Sequence, residues 1–582
     1  VTVAFQGIGV AAARSVAIGP AFLSGSGLRT AIQVAIAQEQ VSAELDRLNQ
    51  AVAAARRALH SVRDQIPPAT PHHIVEFIDT HLMMLDDVAL VDEVRKLIRD
   101  RLCNAEWALQ MQRDTLVQVF DQMDDPYLRT RRDDVEHVVR QIHGFLQGDA
   151  PPFAALSHDL EGAVVVARDL MPADAIVLRH RGAAAFVTEY GGPMSHTAIL
   201  ARSLGVPAVV GVHNITRYLR QGEILVVDGE SGTVLAEADA ATLAYFQDRL
   251  DAIEARRVRL RGLVGRPSVT RDGVQVKLLA NLELPEDALA ARANGAVGVG
   301  LYRTEFLYMN RDDLPDEEEH LAAYTGILRG VGGLPVTIRT LDLGVDKRAG
   351  AGDDLGQGVC NPALGLRAIR LCLKEPELFR PQLRAILRVS ALGPVRLMLP
   401  MVTTVAEVDA VLAILAGLKQ ELTAEGLPFD PDLKVGAMVE VPAAALTARA
   451  LARRMDFLSI GTNDLVQYTL AIDRLDDGVN YLFDPTHPAI LRLLRMTIAA
   501  GRDLDTPVAM CGEMAGDPRF TRLLLGMGLC ELSMQPDSLL DIKEIVLDSD
   551  TRELRRRTVR LFRRLDDTDP ERLLEALNRL DD

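Results

Sequence analysis

Three arginines, a few carboxylates, one cysteine and one loop histidine could carry chemistry in this sequence. Arg303, Arg339 and Arg474 stand at or just beyond the ends of short apolar runs, as do Glu305, Asp342, Glu440, Asn463, Asp464, Cys511 and Glu513. A guanidinium fork binds a planar carboxylate or a phosphate through paired hydrogen bonds. Two carboxylates from different strands suit Mg²⁺, a hard ion that commonly takes one or two carboxylates together with substrate phosphate oxygens. A small phosphorylated acid is the ligand class that fits both. Taken singly, each arginine fits a structural ion pair at least as well; the set points to a site. Cys511 reads either as a small buried hydrophobe, the usual fate of a free cysteine, or as a cavity-facing proton donor beside Gly512 and Glu513. Cys103, Cys360, Cys372 and Cys530 lack that setting and read as core or incidental.

A second constellation is Gly191-Gly192-Pro193-Met194-Ser195-His196-Thr197-Ala198, running into Ile199-Leu200-Ala201-Arg202. The two glycines free the backbone for a tight turn, and Ser195 or Thr197 could cap a helix whose N-terminus favours an anion. His196 is suited there to carry a phosphoryl group. Among the other histidines only His81, on the apolar side of a helical segment, stands out, and its plain reading is a partly buried interface residue.

These groups need elements to hold them. Eight short apolar runs, at 276–283, 298–305, 336–342, 396–402, 435–442, 457–464, 508–513 and 531–535, end in polar or turn residues with helical segments between most of them. That alternation predicts a (β/α)8 barrel, whose active site forms at the C-terminal ends of its strands. Upstream, Val41, Leu45, Leu48, Val52, Ala55, Leu59 and Val62 alternate steps of four and three, the seam of an amphipathic helix. Further seams through Ile78 and Leu82, Trp107 and Met111, and Val138 and Ile142 predict a bundle of four helices in all. Short β-branched runs at 163–167, 184–188, 208–211 and 224–228 predict a compact α/β domain, completed by the valine-rich segments 2–5 and 15–23. The expected organisation is an α/β domain from 1–25 and 148–238, an inserted helical domain at 26–147, a connecting helix at 239–267 and the barrel at 268–582. The arginine- and leucine-rich end from Arg552 to Leu580 is expected to pack on the barrel.

Bulk properties exclude several classes. The 582 residues carry 64 Lys and Arg against 81 Asp and Glu, a net charge of −17, which offers no basic footprint for nucleic acid. Five cysteines without CxxC spacing read as reduced thiols in a cytoplasm. The first residues lack a signal-peptide pattern, and no apolar stretch of about 18 residues predicts membrane insertion.

The sequence resembles enzyme I of the bacterial phosphotransferase system over essentially its whole length. The resemblance rests on GGPMSHTAILARSLGVPAVVG around His196, GLYRTEFLYM around Arg303, IRTLDLGVDK around Arg339, NPALGLRAIR at 361–370, GAMVEVPAAA around Glu440, DFLSIGTNDLVQYTLAIDR at 456–474 and AMCGEMAGD around Cys511. It implies that the α/β domain is the phosphohistidine domain. It also implies that phosphoenolpyruvate and Mg²⁺ bind at the barrel mouth and that His196 accepts the phosphoryl group with release of pyruvate. By the same resemblance the histidine carrier protein HPr docks on the helical domain, and the barrel forms a homodimer. Carried over residue by residue, the roles are Glu440 and Asp464 as Mg²⁺ ligands, Arg303, Arg339, Lys347, Asn463 and Arg474 for phosphate and carboxylate, and Cys511 as the acid protonating the enolate carbon. The sequence departs from the family at Val345, at the Gly- and Asp-rich segment 348–360, and at Pro193-Met194. The absence of a sensory domain before residue 1 favours the sugar-uptake branch over a regulatory nitrogen-type relay. A pyruvate phosphate dikinase or phosphoenolpyruvate synthase would need an ATP domain that the segment before residue 148 has no Gly-rich loop to supply, and a non-catalytic scaffold would have no need of the complete set.

Overall fold

The computed structural model describes residues 2–10, 15–23, 32–65, 72–121, 126–147, 160–170, 172–192, 195–284, 287–308, 313–343, 362–473 and 479–579. Val345, Lys347, the 348–360 segment with Cys360, Arg474 and the Pro193-Met194 pair fall outside them. The chain forms two compact units, Val1–Arg256 and Arg257–Asp582.

Unit 1 is built on an eight-stranded sheet of β1 (Val3–Gln6), β2 (Ile8–Val10), β3 (Val16–Leu23), β4 (Val164–Ala167), β5 (Ala185–Thr188), β6 (Ala208–Val210), β7 (Ile224–Asp228) and β8 (Thr233–Ala236), in the order β1-β8-β7-β3-β4-β5-β6-β2. β3, β4, β5 and β6 are parallel, and the remaining pairings are antiparallel. β4, β5 and β6 are buried along their whole length, as parallel strands covered on both faces must be. Their alternation divides the apolar residues between two cores. Val165, Phe186, Ala208 and Val210 join the core of the helical bundle, while Val164, Val166, Val187 and Val209 pack with Leu225 and Val227 of β7.

The bundle, between β3 and β4 in sequence, contains α1 (Val41–Gln65), α2 (His72–Asp86), α3 (Glu93–Arg101), α4 (Ala105–Asp121) and α5 (Pro126–Leu146). Among the described residues it has five α-helices where the seams predict four. The unforeseen one is α3, nine residues of largely charged sequence that bury only Val94 and Ile98, too short a stripe to register as a period. His81 is fully buried at 2% exposed, deeper than expected. Between β4 and β5 lies α6 (Pro172–His180), and between β5 and β6 lies α7 (His196–Ser203). α8 (Ala240–Arg261) buries only Leu260.

Unit 2 holds β9 (Lys277–Leu282), β10 (Val299–Tyr302), β11 (Val336–Arg339), β12 (Val395–Leu399), β13 (Lys434–Val439), β14 (Phe457–Ile460), β15 (Val508–Met510) and β16 (Glu531–Met534). One overlaps each of the eight apolar runs, with β12 and β13 each starting one residue earlier than its run. All are parallel, and β16 closes on β9 through Glu531 opposite Lys277 and Met534 opposite Ala280. Inside the barrel Leu301, Met398, Met438, Phe457 and Cys511 form a small apolar cluster. The terminal helices Thr551–Arg564 and Pro570–Asn578 pack on the Pro518–Met527 helix, covering the barrel as expected. Among the described residues no helix is long and apolar enough to cross a membrane.

Candidate active site

Strand pairing carries the functional side chains past the ends of the strands. Arg303 N donates to Leu282 O (3.0 Å), Gly461 N to Val439 O (3.1 Å) and Cys511 N to Ile460 O (3.0 Å), so the residues beyond β10, β14 and β15 remain pinned to a neighbour. Arg339 is the last residue of β11, and Glu440 follows directly on β13. Their side chains converge on a cleft of about 380 Å³ lined by Glu283, Leu301, Arg303, Glu305, Phe306, Arg339, Asp342, Arg367, Met438, Glu440, Gly461, Asn463, Asp464, Cys511 and Gly512. That volume suits a small ligand.

Ion pairs organise the cationic side. Arg339 reaches Glu305 and Asp342, each at 3.1 Å, and Arg367 reaches Asp342 at 2.8 Å. Arg303 pairs with Glu283. Burial disfavours charge on Arg339 and Asp342, but the carboxylates around the arginine and the arginines around the carboxylate outweigh it, so Arg339 is raised and Asp342 lowered from their ordinary values. Behind the cleft Gln382, fully buried, donates to Thr304 Oγ1 (3.0 Å) and Tyr324 OH (3.2 Å) and accepts from Leu341 N (3.0 Å). Thr304 Oγ1 in turn donates to Arg339 O (3.0 Å), tying the segment after β10 to the one after β11.

The described lining contains three arginines, Arg303, Arg339 and Arg367, against five carboxylates, Glu283, Glu305, Asp342, Glu440 and Asp464. That excess of carboxylates suits a divalent cation beside an anionic ligand. The strain concentrates at Glu440. Burial, then the charges of Asp464 and Asp342, push its carboxyl well above the usual range despite Arg339 and a 2.6 Å hydrogen bond from Met401 N. Hard carboxylate oxygens crowded together fit Mg²⁺. A Cβ at Gly461 would lie 2.8 Å from Glu440 Oε2, so only glycine lets that oxygen sit where it does.

Cys511 is buried, and burial pushes its thiol up to about 11 although a 3.2 Å hydrogen bond from Ser459 Oγ opposes the shift. The thiol therefore keeps its proton at neutral pH while lining the cleft. Its backbone is fixed by Asn281, whose Nδ2 donates to Cys511 O (2.9 Å) and whose Oδ1 accepts from Ser533 Oγ (2.6 Å). Cys103 and Cys372 are buried and Cys530 is half-buried, none of them lining the cleft. Asn463 and Glu513 exchange two hydrogen bonds, of 3.0 and 3.1 Å, and only Asn463 lines the cleft.

His196 lies in unit 1, as the first residue of α7. Ser195 is the cap, accepting from Ala198 N (3.3 Å), whereas Thr197 Oγ1 donates to Leu170 O (3.1 Å) and is buried. Gly191 takes φ +111°, a conformation side chains rarely adopt. Of the nine expected site residues the structure brings Arg303, Arg339, Glu440, Asn463, Asp464 and Cys511 to one cleft. His196 stands apart in sequence and unit, and Lys347 and Arg474 lie outside the described residues. Sequence reasoning missed Arg367 and Glu283 in the lining and Gln382 behind it; Arg367 was visible only as part of the 361–370 motif.

The chain matches three family descriptions in order: "PEP-utilising enzyme, N-terminal" over residues 8–131, "PEP-utilising enzyme, mobile domain" over 159–232 and "PEP-utilising enzyme, PEP-binding domain" over 258–551. It is 47% identical over 581 residues to the phosphoenolpyruvate-protein phosphotransferase of Cupriavidus necator, covering 98% of each chain. It is 40% identical over 532 residues to the protein of that name from Geobacillus stearothermophilus, covering 91% of each. A solution structure of Enzyme I aligns with 43% of this chain and 99% of its own at 29% identity and a TM-score of 0.38.

Proposed function

The chain belongs to the phosphoenolpyruvate-protein phosphotransferase (enzyme I) family, and from that membership we propose how its own residues perform the transfer. The enzyme takes the phosphoryl group of phosphoenolpyruvate and passes it to a protein carrier. The observation that carries the residue assignment is a buried thiol sharing one cleft with three arginines and the crowded carboxylates Glu440 and Asp464.

Arg303, Arg339 and Asn463 hold the carboxylate and phosphate of phosphoenolpyruvate, aided by Arg367 and, by resemblance, Lys347 and Arg474. The imidazole of His196 attacks phosphorus; the N–P bond forms as the bond from phosphorus to the enol oxygen breaks, and its electron pair leaves with the enolate. Cys511 Sγ gives its proton to the terminal enolate carbon, and pyruvate departs. Arginine clamps already in place stabilise the spreading charge without reorganising, which is where most catalysis of phosphoryl transfer arises. Glu440 and Asp464 are the residues to hold Mg²⁺, which when bound neutralises charge on the phosphoryl oxygens. His196 opens α7, and the N-terminus of a helix, with its backbone N–H groups and positive dipole end, favours a phosphoryl charge there. The carrier is an HPr-type protein docking on the helical domain, 26–147, and the barrel, 268–582, is the dimerising part.

The test is mass spectrometry of the full chain after incubation with Mg²⁺ and phosphoenolpyruvate, beside an ATP control and His196→Ala. Acid-labile phosphate on His196, from phosphoenolpyruvate alone, is expected. Label that persists in His196→Ala overturns the histidine assignment, and label from ATP points to a dikinase-type reaction.

A further inference from the structure

Unit 1 carries a second set of metal-ligating side chains that the transfer reaction does not use. His81 lies on α2, Asp134 and His137 lie three residues apart on α5, and they are 2%, 2% and 5% exposed. One ligand atom from each falls within 4.8 Å of the other two. His81 Nε2 stands 3.4 Å from Asp134 Oδ1. A typical N–H···O bond is shorter, at about 2.9–3.0 Å. The observed length instead matches the edge of a tetrahedron around Zn²⁺, which is about 3.3–3.4 Å for bonds of about 2.0–2.1 Å.

The pattern on α5 is the carboxylate and histidine at i and i+3 with which helical bundles hold ions in their cores, the further histidine coming from a neighbouring helix. Asp169, just after β4, lies 3.2 Å from His137 Nε2, and Arg140 Nη1 donates to the same carboxylate oxygen at 3.0 Å. A carboxylate on one nitrogen of a ligating histidine fixes the ring and raises its basicity. Asp169 is held between His137 and Arg140. Two imidazoles and a carboxylate select a borderline divalent ion over Mg²⁺ or Ca²⁺.

We propose that His81, Asp134 and His137 bind a divalent transition ion of the zinc class, with Asp169 orienting His137, so that the ion pins α2 to α5 and both to the segment after β4. The competing account is an ion-free pair of His–carboxylate hydrogen bonds joining the same elements. The experiment uses the full chain, stripped with chelator and held in excess Mg²⁺ to fill the barrel cleft, then titrated with Zn²⁺ alone and with Co²⁺ alone. One Zn²⁺ per chain is expected, with a visible Co²⁺ spectrum of tetrahedral nitrogen and oxygen ligation. His81→Gln and Asp134→Asn should weaken Zn²⁺ binding by more than about 100-fold, and Asp169→Asn by about 10–100-fold, with circular dichroism unchanged. An Asp464→Asn control keeps the ion. Wild-type stoichiometry retained in His81→Gln and Asp134→Asn, or no ion bound by the folded wild-type chain, overturns the proposal in favour of the ion-free network.

Discussion

Cys511 combines burial, a place in the cleft lining and a thiol that holds its proton, and the proposed reaction uses it in only one of its two halves. Protonating the enolate carbon requires an acid, whereas exchange of the phosphoryl group between His196 and the carrier does not. Cys511→Ser should therefore slow phosphorylation of His196 by phosphoenolpyruvate by about 100-fold or more, the usual contribution of a positioned acid. Exchange with phosphorylated carrier should be unchanged. Quench-flow measurement of the two half-reactions checks this, and equal slowing of both would mean a structural role. Glu440 supplies a pH prediction. Its carboxyl is raised, so without an ion it is partly protonated at neutral pH, and Mg²⁺ must expel that proton to bind. Apparent Mg²⁺ affinity should rise with pH, by up to about tenfold per unit for one proton, and calorimetry in buffers of different ionisation enthalpy should detect proton release. Residues at strand ends were legible in the sequence because the strand announces them. Arg367 was not, because it caps the Ala368–Lys374 helix and no apolar run leads into it.

At the level of elements, the cleft depends on close approach between segments that follow adjacent strands. Gly461 and Gly512 follow β14 and β15, and a Cβ on either would strike the neighbouring segment. At Gly461 it would meet Glu440 Oε2 at 2.8 Å and Glu440 Cβ at 3.0 Å; at Gly512 it would meet Thr462 Oγ1 at 2.0 Å and Thr462 N at 2.4 Å. A side chain can turn aside where backbone cannot. Gly461→Ala should leave the barrel folded while displacing Glu440, so Mg²⁺ affinity falls with little change in melting temperature. Gly512→Ala forces backbone apart and should destabilise the barrel itself, by about 1–3 kcal/mol as overpacking does; thermal melts beside Mg²⁺ titrations separate the two. The eight barrel strands could be read because each is a short apolar run halted by charge. α3 and β8 could not, the first being mostly charged and the second, Thr233–Ala236, only half buried. Gln382 hid for a related reason: a polar residue inside a helix looks solvated until the fold buries it against Thr304 and Leu341.

For the whole molecule, the chemistry is divided where the cores are divided. Among the described residues every apolar core lies within one unit: the bundle and sheet cores between Val10 and Ala236, and the barrel cores between Val276 and Leu577. A segment with its own core meets the basic condition for folding alone, and α8, where the division falls, buries only Leu260. The proposed acceptor, His196, is in one unit and the arginines, crowded carboxylates and thiol are in the other. A fragment ending at Arg256 should therefore fold, accept a phosphoryl group from phosphorylated carrier, and fail to take one from phosphoenolpyruvate. The complementary fragment should bind phosphoenolpyruvate in the presence of Mg²⁺ without becoming phosphorylated. Calorimetry of the intact chain should resolve two transitions, each matching one fragment. A single cooperative transition, or a first fragment that is unfolded by circular dichroism, would mean that the histidine unit depends on the barrel for its stability, and the two halves of the reaction would then be coupled through folding as well as through chemistry.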